Sequence, residues 1–307
     1  MTHFPPRLVS LDEFPESESA ASGMRDLDVS AEPPLGEVEL NVVYAHRNGR
    51  DLRLQIISPP RERDDRTTFP AIAYVQGSAW REQRLGQSLP ALAEFAARGF
   101  VVAIVEYRPS SVAPFPAQVL DAKAAIEFLR ENADLFHIDS EQMGVWGDSS
   151  GGHTALMVHM TQGSGELAHD GVEERPLRFA VDYFGPTDIA VMQEQPSIQD
   201  HLGADSPEGE LIGGVRVDEH PELVAPTVVM NRIPRDRELP PLLMMHGSKD
   251  RLVPFDQSVR LFEAMRQNGQ HAEFYRLPGH DHGGGGFWRP ETLDIVEEFI
   301  RRALDGA

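Results

Sequence analysis

The run Ala71-Ile-Ala-Tyr-Val75 is apolar at every position, with no polar residue on either side of the pleat. A strand of that kind is shielded from water on both faces, which points to a parallel sheet lying between two layers of helix. The surrounding sequence repeats the unit. Leu85, Leu89, Leu92 and Ala96 recur at helical spacing, Gly99 supplies a C-terminal stop, and a second apolar run follows in Phe100-Val-Val-Ala-Ile-Val105. Val119, Ala122, Ile126 and Leu129 mark another helical stripe, followed by the short strand Met143-Gly-Val-Trp146 and a helix from Ser150 towards Met160. Strand and helix in alternation predict an α/β domain: a mostly parallel central sheet with helices on both faces.

The flanking segments complete that layout. Val38 to Tyr44 and Leu52 to Ile57 alternate in polarity about Asn48-Gly49-Arg-Asp, a β-hairpin signal, and the charged stretch Arg61 to Arg66 is expected to turn. Residues 1 to about 35, rich in Pro, Ser and acidic residues and closed by Pro33-Pro34, read as an N-terminal arm ahead of a domain spanning 36–307. Phe179 to Phe184 and Leu242 to Met245 are further strand candidates. The long, Pro/Gly-rich, acidic segment of about 186–240 between them reads as a small inserted cap. A helix through Val259, Phe262 and Met265, a strand Ala272 to Leu277 and a last helix through Leu293, Val296 and Ile300 end the chain.

Composition narrows the function. Among 307 residues, 28 basic against 49 acidic give a net charge of −21, so neither nucleic acid nor an anionic membrane is an expected partner. The lack of cysteine removes disulfides, thiol nucleophiles and thiolate metal sites. No stretch reaches bilayer-spanning length, and Met1-Thr-His-Phe-Pro-Pro lacks a basic segment followed by an apolar run, so a cytoplasmic location is expected.

Chemistry concentrates in Gly147-Asp-Ser-Ser-Gly-Gly152, a G-x-S-x-G between a predicted strand and a predicted helix. On such a turn the hydroxyl of Ser149 is lifted clear of the sheet, and the N–H of Ser150 can meet a developing oxyanion. Alternatively the segment is a plain Gly/Ser turn or a phosphate cradle at a helix start. A serine nucleophile needs a base and an acid to orient that base. Asp250 lies in the loop after the strand Leu242 to Met245, where open α/β sheets collect functional groups, although an isolated aspartate there could equally cap the next helix. His280 and His282, in Leu277-Pro-Gly-His-Asp-His-Gly283, compete for the base. With Asp281 they could suggest a metal, but no further ligand cluster accompanies them, and neither metal nor cofactor is expected. His153 and His246 read as structural. The loop Gln76-Gly-Ser-Ala-Trp80 follows a strand, and the N–H groups of Gly77 and Ser78 are the expected partners of Ser150 in an oxyanion hole.

Together these residues resemble the carboxylesterase and acetylesterase branch of the α/β-hydrolases, which includes feruloyl esterases and relatives of hormone-sensitive lipase. The likeness runs over residues 38 to 304. Its carriers are Tyr107-Arg108, Asp121, Gly147 to Gly152, Gly185-Pro-Thr-Asp188, His246 to Pro254 and His282-Gly283. It implies the chain order serine, acid, histidine, hence Ser149 as nucleophile and Asp250 as acid. His282 is preferred as base because the family pattern places glycine directly after the histidine, with His280 the alternative. The family's usual His-Gly-Gly-Gly-Trp is replaced here by Gln76-Gly-Ser-Ala-Trp80, which implies a narrower acyl pocket that disfavours bulky branched acyl groups. Specificity is expected in the cap, with Trp80, Phe287 and Trp288 at the pocket, the last two being equally suited to packing on the final helix.

The activity implied is a serine carboxylesterase acting on small carboxylic esters, acetyl or hydroxycinnamoyl, through an acyl-enzyme. Two alternatives are a serine peptidase of the oligopeptidase kind, which usually carries a further large domain, and a non-catalytic ligand-binding homologue of the same fold. The arm could dock on its own body or on a neighbour, leaving a homodimer open.

Overall fold

The computed structural model describes residues 5–10, 12–27, 36–61, 66–168 and 175–306. The chain divides into Met1–Pro33 and Pro34–Ala307. In the first unit the described residues carry only turns, at 12–14 and 22–23. Pro34, and residues 62–65 of the charged turn, lie outside the described residues.

The second unit begins with the hairpin β1 (Glu37–Arg47) and β2 (Arg50–Ser58), paired antiparallel. Asn48 and Gly49 make the turn with φ of 49° and 73°, the left-handed pair that matches the twist of a two-residue hairpin. The alternating units follow as β3 (Phe69–Val75), α1 (Leu89–Ala96), β4 (Val101–Val105), α2 (Ala117–Glu131), β5 (Ile138–Asp148), α3 (Ser150–Thr161) and β6 (Phe179–Tyr183). After the short helices α4 (Pro207–Leu211) and α5 (Pro221–Val224) come β7 (Leu242–Gly247), α6 (Asp256–Gln267), β8 (Ala272–Leu277) and α7 (Pro290–Asp305). All strands join one 8-stranded sheet in the order β1-β2-β4-β3-β5-β6-β7-β8, parallel from β4 to β8.

The unbroken apolar runs are explained by what covers each face. Ala71, Ala73 and Val75 pack on the layer holding α2, α3 and α6, through Ala122, Leu129, Leu156 and Leu261. Ile72 and Tyr74 point the other way, onto α1 and α7, through Phe95, Val296 and Phe299. Two elements depart from expectation. β5 begins at Ile138 rather than near Met143, because Phe69 pairs with Ile138 and extends the ladder through polar residues that carry no apolar signal. Helix α1 begins at Leu89, after Ser88 and with Pro90 in its first turn, so Leu85 belongs to the preceding loop.

The 186–240 segment is built from α4, α5 and short 3-10 turns at Met192–Glu194, Val217–Glu219, Ala225–Thr227 and Val229–Arg232. Ile189, Met192, Leu211 and Val217 gather in an apolar cluster with Trp80 and Val253, residues that follow the carboxyl ends of β3 and β7. The segment is thereby tied to the edge of the sheet where the strands end. Among the described residues no helix is long and apolar enough to cross a membrane.

One buried ion pair anchors the loop after β4. Arg108 donates to Asp121 through Nε and Nη2, each at 2.8 Å, and its backbone N–H donates at 2.9 Å, while the carboxylate is shut away from solvent. Asp121→Ala leaves that guanidinium beside an empty acceptor site and is expected to lower stability by about 3 kcal/mol, read as a reduced midpoint in urea unfolding.

Candidate active site

Ser149 sits between the last residue of β5 and the first of α3, with φ 53° and ψ −127°. A non-glycine residue held there stores about 1–3 kcal/mol of strain, so the surroundings must enforce it. They do so by close backbone approach. A Cβ on Gly147 would overlap the Gly151 carbonyl, and one on Gly151 would overlap the Val75 carbonyl at the end of β3. The Ser149 N–H donates to Tyr183 O at 2.8 Å, and its carbonyl accepts from His153 N–H at 3.1 Å, pinning both sides of the turn.

The loops after β7 and β8 bring the other two groups to this point. His282 Nε2 lies 2.8 Å from Ser149 Oγ, and its Nδ1 lies 2.7 Å from Asp250 Oδ2. A carboxylate only accepts, so Nδ1–H donates to Asp250 and Nε2 is left to accept the serine proton. His280 makes no such contact: its ring lies against Gly286 and the residue is exposed. Asp250 Oδ1 accepts the N–H groups of Leu252 at 2.9 Å and Val253 at 2.8 Å.

A further donor to Asp250 comes from a histidine that the sequence marks as structural. His246, fully buried on β7, has Nε2 at 3.1 Å from Asp250 Oδ2 and 3.0 Å from Val253 O, two acceptors, so Nε2 carries the proton. Its Nδ1 accepts from Ser258 Oγ at 2.7 Å. Burial alone would push the Asp250 carboxyl up, but the hydrogen bonds from His246 and His282 and the electrostatic attraction of these imidazoles outweigh it and hold the group down at about 2. The two loops are also tied to each other. Asp281 Oδ1 accepts from the N–H groups of Arg251 at 3.0 Å and of His282 at 2.8 Å, and its carboxylate pairs with the Arg251 guanidinium.

The oxyanion expectation needs correction. Gly77 N–H is committed to Asp148 Oδ1 at 2.9 Å, and Ser78 N–H to Ser150 Oγ at 3.0 Å, so neither stands free for a substrate. The reason is the packing of this loop on the elbow: a Cβ on Gly77 would lie 2.8 Å from the Ser149 Cβ. The next N–H, that of Ala79, finds no acceptor among the described residues. Ser150 N–H, in the first turn of α3, has none within the helix. Ala79 and Trp80 hold φ of 57° and 53°, the conformation for which glycine is ordinarily used. The Ser78 hydroxyl turns away, donating to Arg81 O at 2.6 Å and meeting Tyr107 Oη at 3.0 Å, so it does not narrow the cavity.

That cavity, about 80 Å³, is lined by Ser149, Ser150, His282, Ala79 and Trp80, with Pro186, Gln199, His201, Pro207 and Glu208 from the 186–240 segment and Leu252 and Val253 beyond β7. Phe287 and Trp288 do not line it, which corrects their assignment to the pocket. Phe287 packs edge-on to Phe184, at 4.6 Å between centroids, and Trp288 stacks on Trp146 at 5.6 Å. Both belong to the core under α7, with Phe184 between Phe287 and His282. A larger groove, about 570 Å³, lies against α2 and contains none of the Ser149 cluster. Among the described residues no group of three or more His, Asp or Glu is placed to hold a metal.

Comparison with known proteins agrees with this architecture. The BD-FAE family model matches residues 54–265. Esterase LipC of Mycobacterium tuberculosis is 27% identical over 78% of this chain and 60% of its own length. A probable isoprenylcysteine alpha-carbonyl methylesterase of Oryza sativa subsp. japonica, ICMEL1, is 26% identical over 79% of this chain and 56% of its own. The chain thus spans little more than half the length of these curated relatives. Among solved structures, a truncated form of a carbohydrate esterase from gut microbiota shares 29% identity and a TM-score of 0.76, over 90% of this chain and 99% of that one. Thermogutta terrifontis Est2 with propionate bound shares 25% identity and a TM-score of 0.67, over 88% and 94%. The fold is that of the α/β-hydrolases.

Asp250 also carries a pH signature. Its carboxyl is lower in the folded chain, at about 2, than its ordinary value of 3.8, so the stabilisation is complete above about pH 4 and is lost as pH falls towards 2. Urea unfolding across that window should show the wild type losing about 2 kcal/mol more than Asp250→Asn. Parallel losses in the two proteins would contradict the assignment.

Proposed function

The chain belongs to the BD-FAE family, and from that premise we propose that it hydrolyses small carboxylic esters through an acyl-enzyme formed on Ser149. The observation that carries this reading is the series Ser149 Oγ, His282, Asp250, bonded at 2.8 and 2.7 Å. In the acylation step His282 Nε2 takes the serine proton as Oγ attacks the ester carbonyl. The carbonyl electrons move to oxygen, the N–H groups of Ala79 and Ser150 donate to the resulting oxyanion, and the tetrahedral adduct collapses as the alcohol leaves with the proton from His282. Water repeats the sequence on the acyl-enzyme and releases the acid. Asp250 stays ionised throughout, holding the imidazole in the tautomer that can accept and stabilising its charged form.

The relatives named as esterases and the carbohydrate esterase structure support the reaction class. The small cavity favours an acetyl group over a hydroxycinnamoyl one. In this reading residues 186–240 act as the cap, since they supply much of the cavity wall, and the N-terminal arm of 1–35 precedes the catalytic domain of 36–307 in the chain.

An aryl ester series of graded acyl length tests the proposal. Acetate should give the highest kcat/KM, with a fall at each lengthening, and Ser149→Ala should reduce every rate by about 10⁴-fold or more. A Ser149→Ala protein that keeps its activity ends the proposal. Ala79→Gly removes the methyl group lining the cavity at a φ that glycine adopts without strain, and should raise butyrate turnover relative to acetate by about tenfold.

A further inference from the structure

Two residues that line the cavity at Ser149 carry polar atoms with no part in acyl transfer. Glu208, in α4, lines the cavity and is 3% exposed. Its Oε1 lies 3.0 Å from His201 Nδ1, and Nε2 of that equally buried imidazole lies 2.9 Å from Ser197 Oγ. The carboxylate is therefore held in one orientation, yet Oε2 has no partner among the described residues. Trp80, 1% exposed, lines the same cavity, and its indole Nε1–H also lacks a partner. A buried acceptor and a buried donor left unmatched on two residues that line one small cavity each destabilise the empty protein, which makes the pair a specification for the group that enters.

We infer that Glu208 and Trp80 recognise a hydroxyl on the substrate, which donates to Glu208 Oε2 and accepts from Trp80 Nε1. A hydroxyl is both donor and acceptor. An ammonium group would leave the indole N–H unmatched, and a carboxylate would face Glu208. The substrate class is thus an ester with a free hydroxyl within a carbon or two of the scissile bond, as in a partly acylated polyol or sugar or an ester of a hydroxy acid. His201 and Ser197 are positioning residues for the carboxylate. The inference rests on the ester-hydrolysis reading and names its substrate.

Matched esters test it. Ethylene glycol monoacetate is compared with propyl acetate, and ethyl glycolate with ethyl propanoate, each rate divided by that of alkaline hydrolysis, with 4-nitrophenyl acetate as reference. In at least one pair the hydroxylated ester should lead in kcat/KM by about tenfold or more, and Glu208→Gln and Trp80→Phe should each shrink that lead to about threefold or less. Ratios near one in both pairs, with 4-nitrophenyl acetate still turned over, overturn the hydroxyl site and leave the esterase intact. A lead that survives both substitutions overturns the assignment to these residues, and acetylcholine outpacing every hydroxylated ester overturns it in favour of cation recognition. No turnover of any ester by the wild type removes the function and this site together. The wild-type ratios stand whether or not either variant folds.

Discussion

The close approach of the Val75 carbonyl to Gly151 sets the geometry on which everything else depends. No side chain fits between the end of β3 and the start of α3, so the chain can pass only as glycine, and Ser149 is forced into a conformation it would not otherwise adopt. The strain is held by the ends of the parallel strands themselves, since Ser149 is bonded to Tyr183 at the end of β6 and supported from β3. A flexible loop could present a serine but would not aim it, and aim is what an imidazole 2.8 Å away requires.

The remaining groups are aimed by carboxylates. Asp148 takes the Gly77 N–H and the Tyr74 hydroxyl, fastening the loop after β3 to the elbow. Asp250 takes two backbone N–H groups and two imidazoles, and Asp281 ties the loop that carries Asp250 to the loop that carries His282. In a chain with a net charge of −21 these buried and part-buried anions are tolerable because each is met by donors. Glu208 Oε2 departs from that pattern, as does Asp182 Oδ2, each carboxylate being only half matched.

Much of this was legible in the residues. Apolar runs predicted the strands, helical spacing the helices, and Ser149, Asp250, His280 and His282 each follow a predicted strand, the preference for His282 resting on the family resemblance. What escaped did so for identifiable reasons. His246 reads as a structural histidine at a strand end, and so it is, but nothing local reports that one of its partners is Asp250. Gly77 and Ser78 looked like free donors because a sequence does not say which N–H groups are already bonded. Phe287 and Trp288 suit a pocket wall and packing on the last helix equally well by residue type, and the 3-10 turn Gly285–Trp288 ahead of α7 sets them in the core. Glu208 and His201 lay in a segment whose composition signals only loop and turn.

The sequence by itself determined the elements and their order, since periodicity and glycine placement are properties of neighbours a few residues apart. It also determined which residue types stand at the strand ends. Only the tertiary structure decided which donors remain unbonded, which of two histidines meets the serine, and which residues of the 186–240 segment line the cavity. Those outcomes depend on contacts between segments distant along the chain, where a change of one ångström exchanges one hydrogen-bond partner for another.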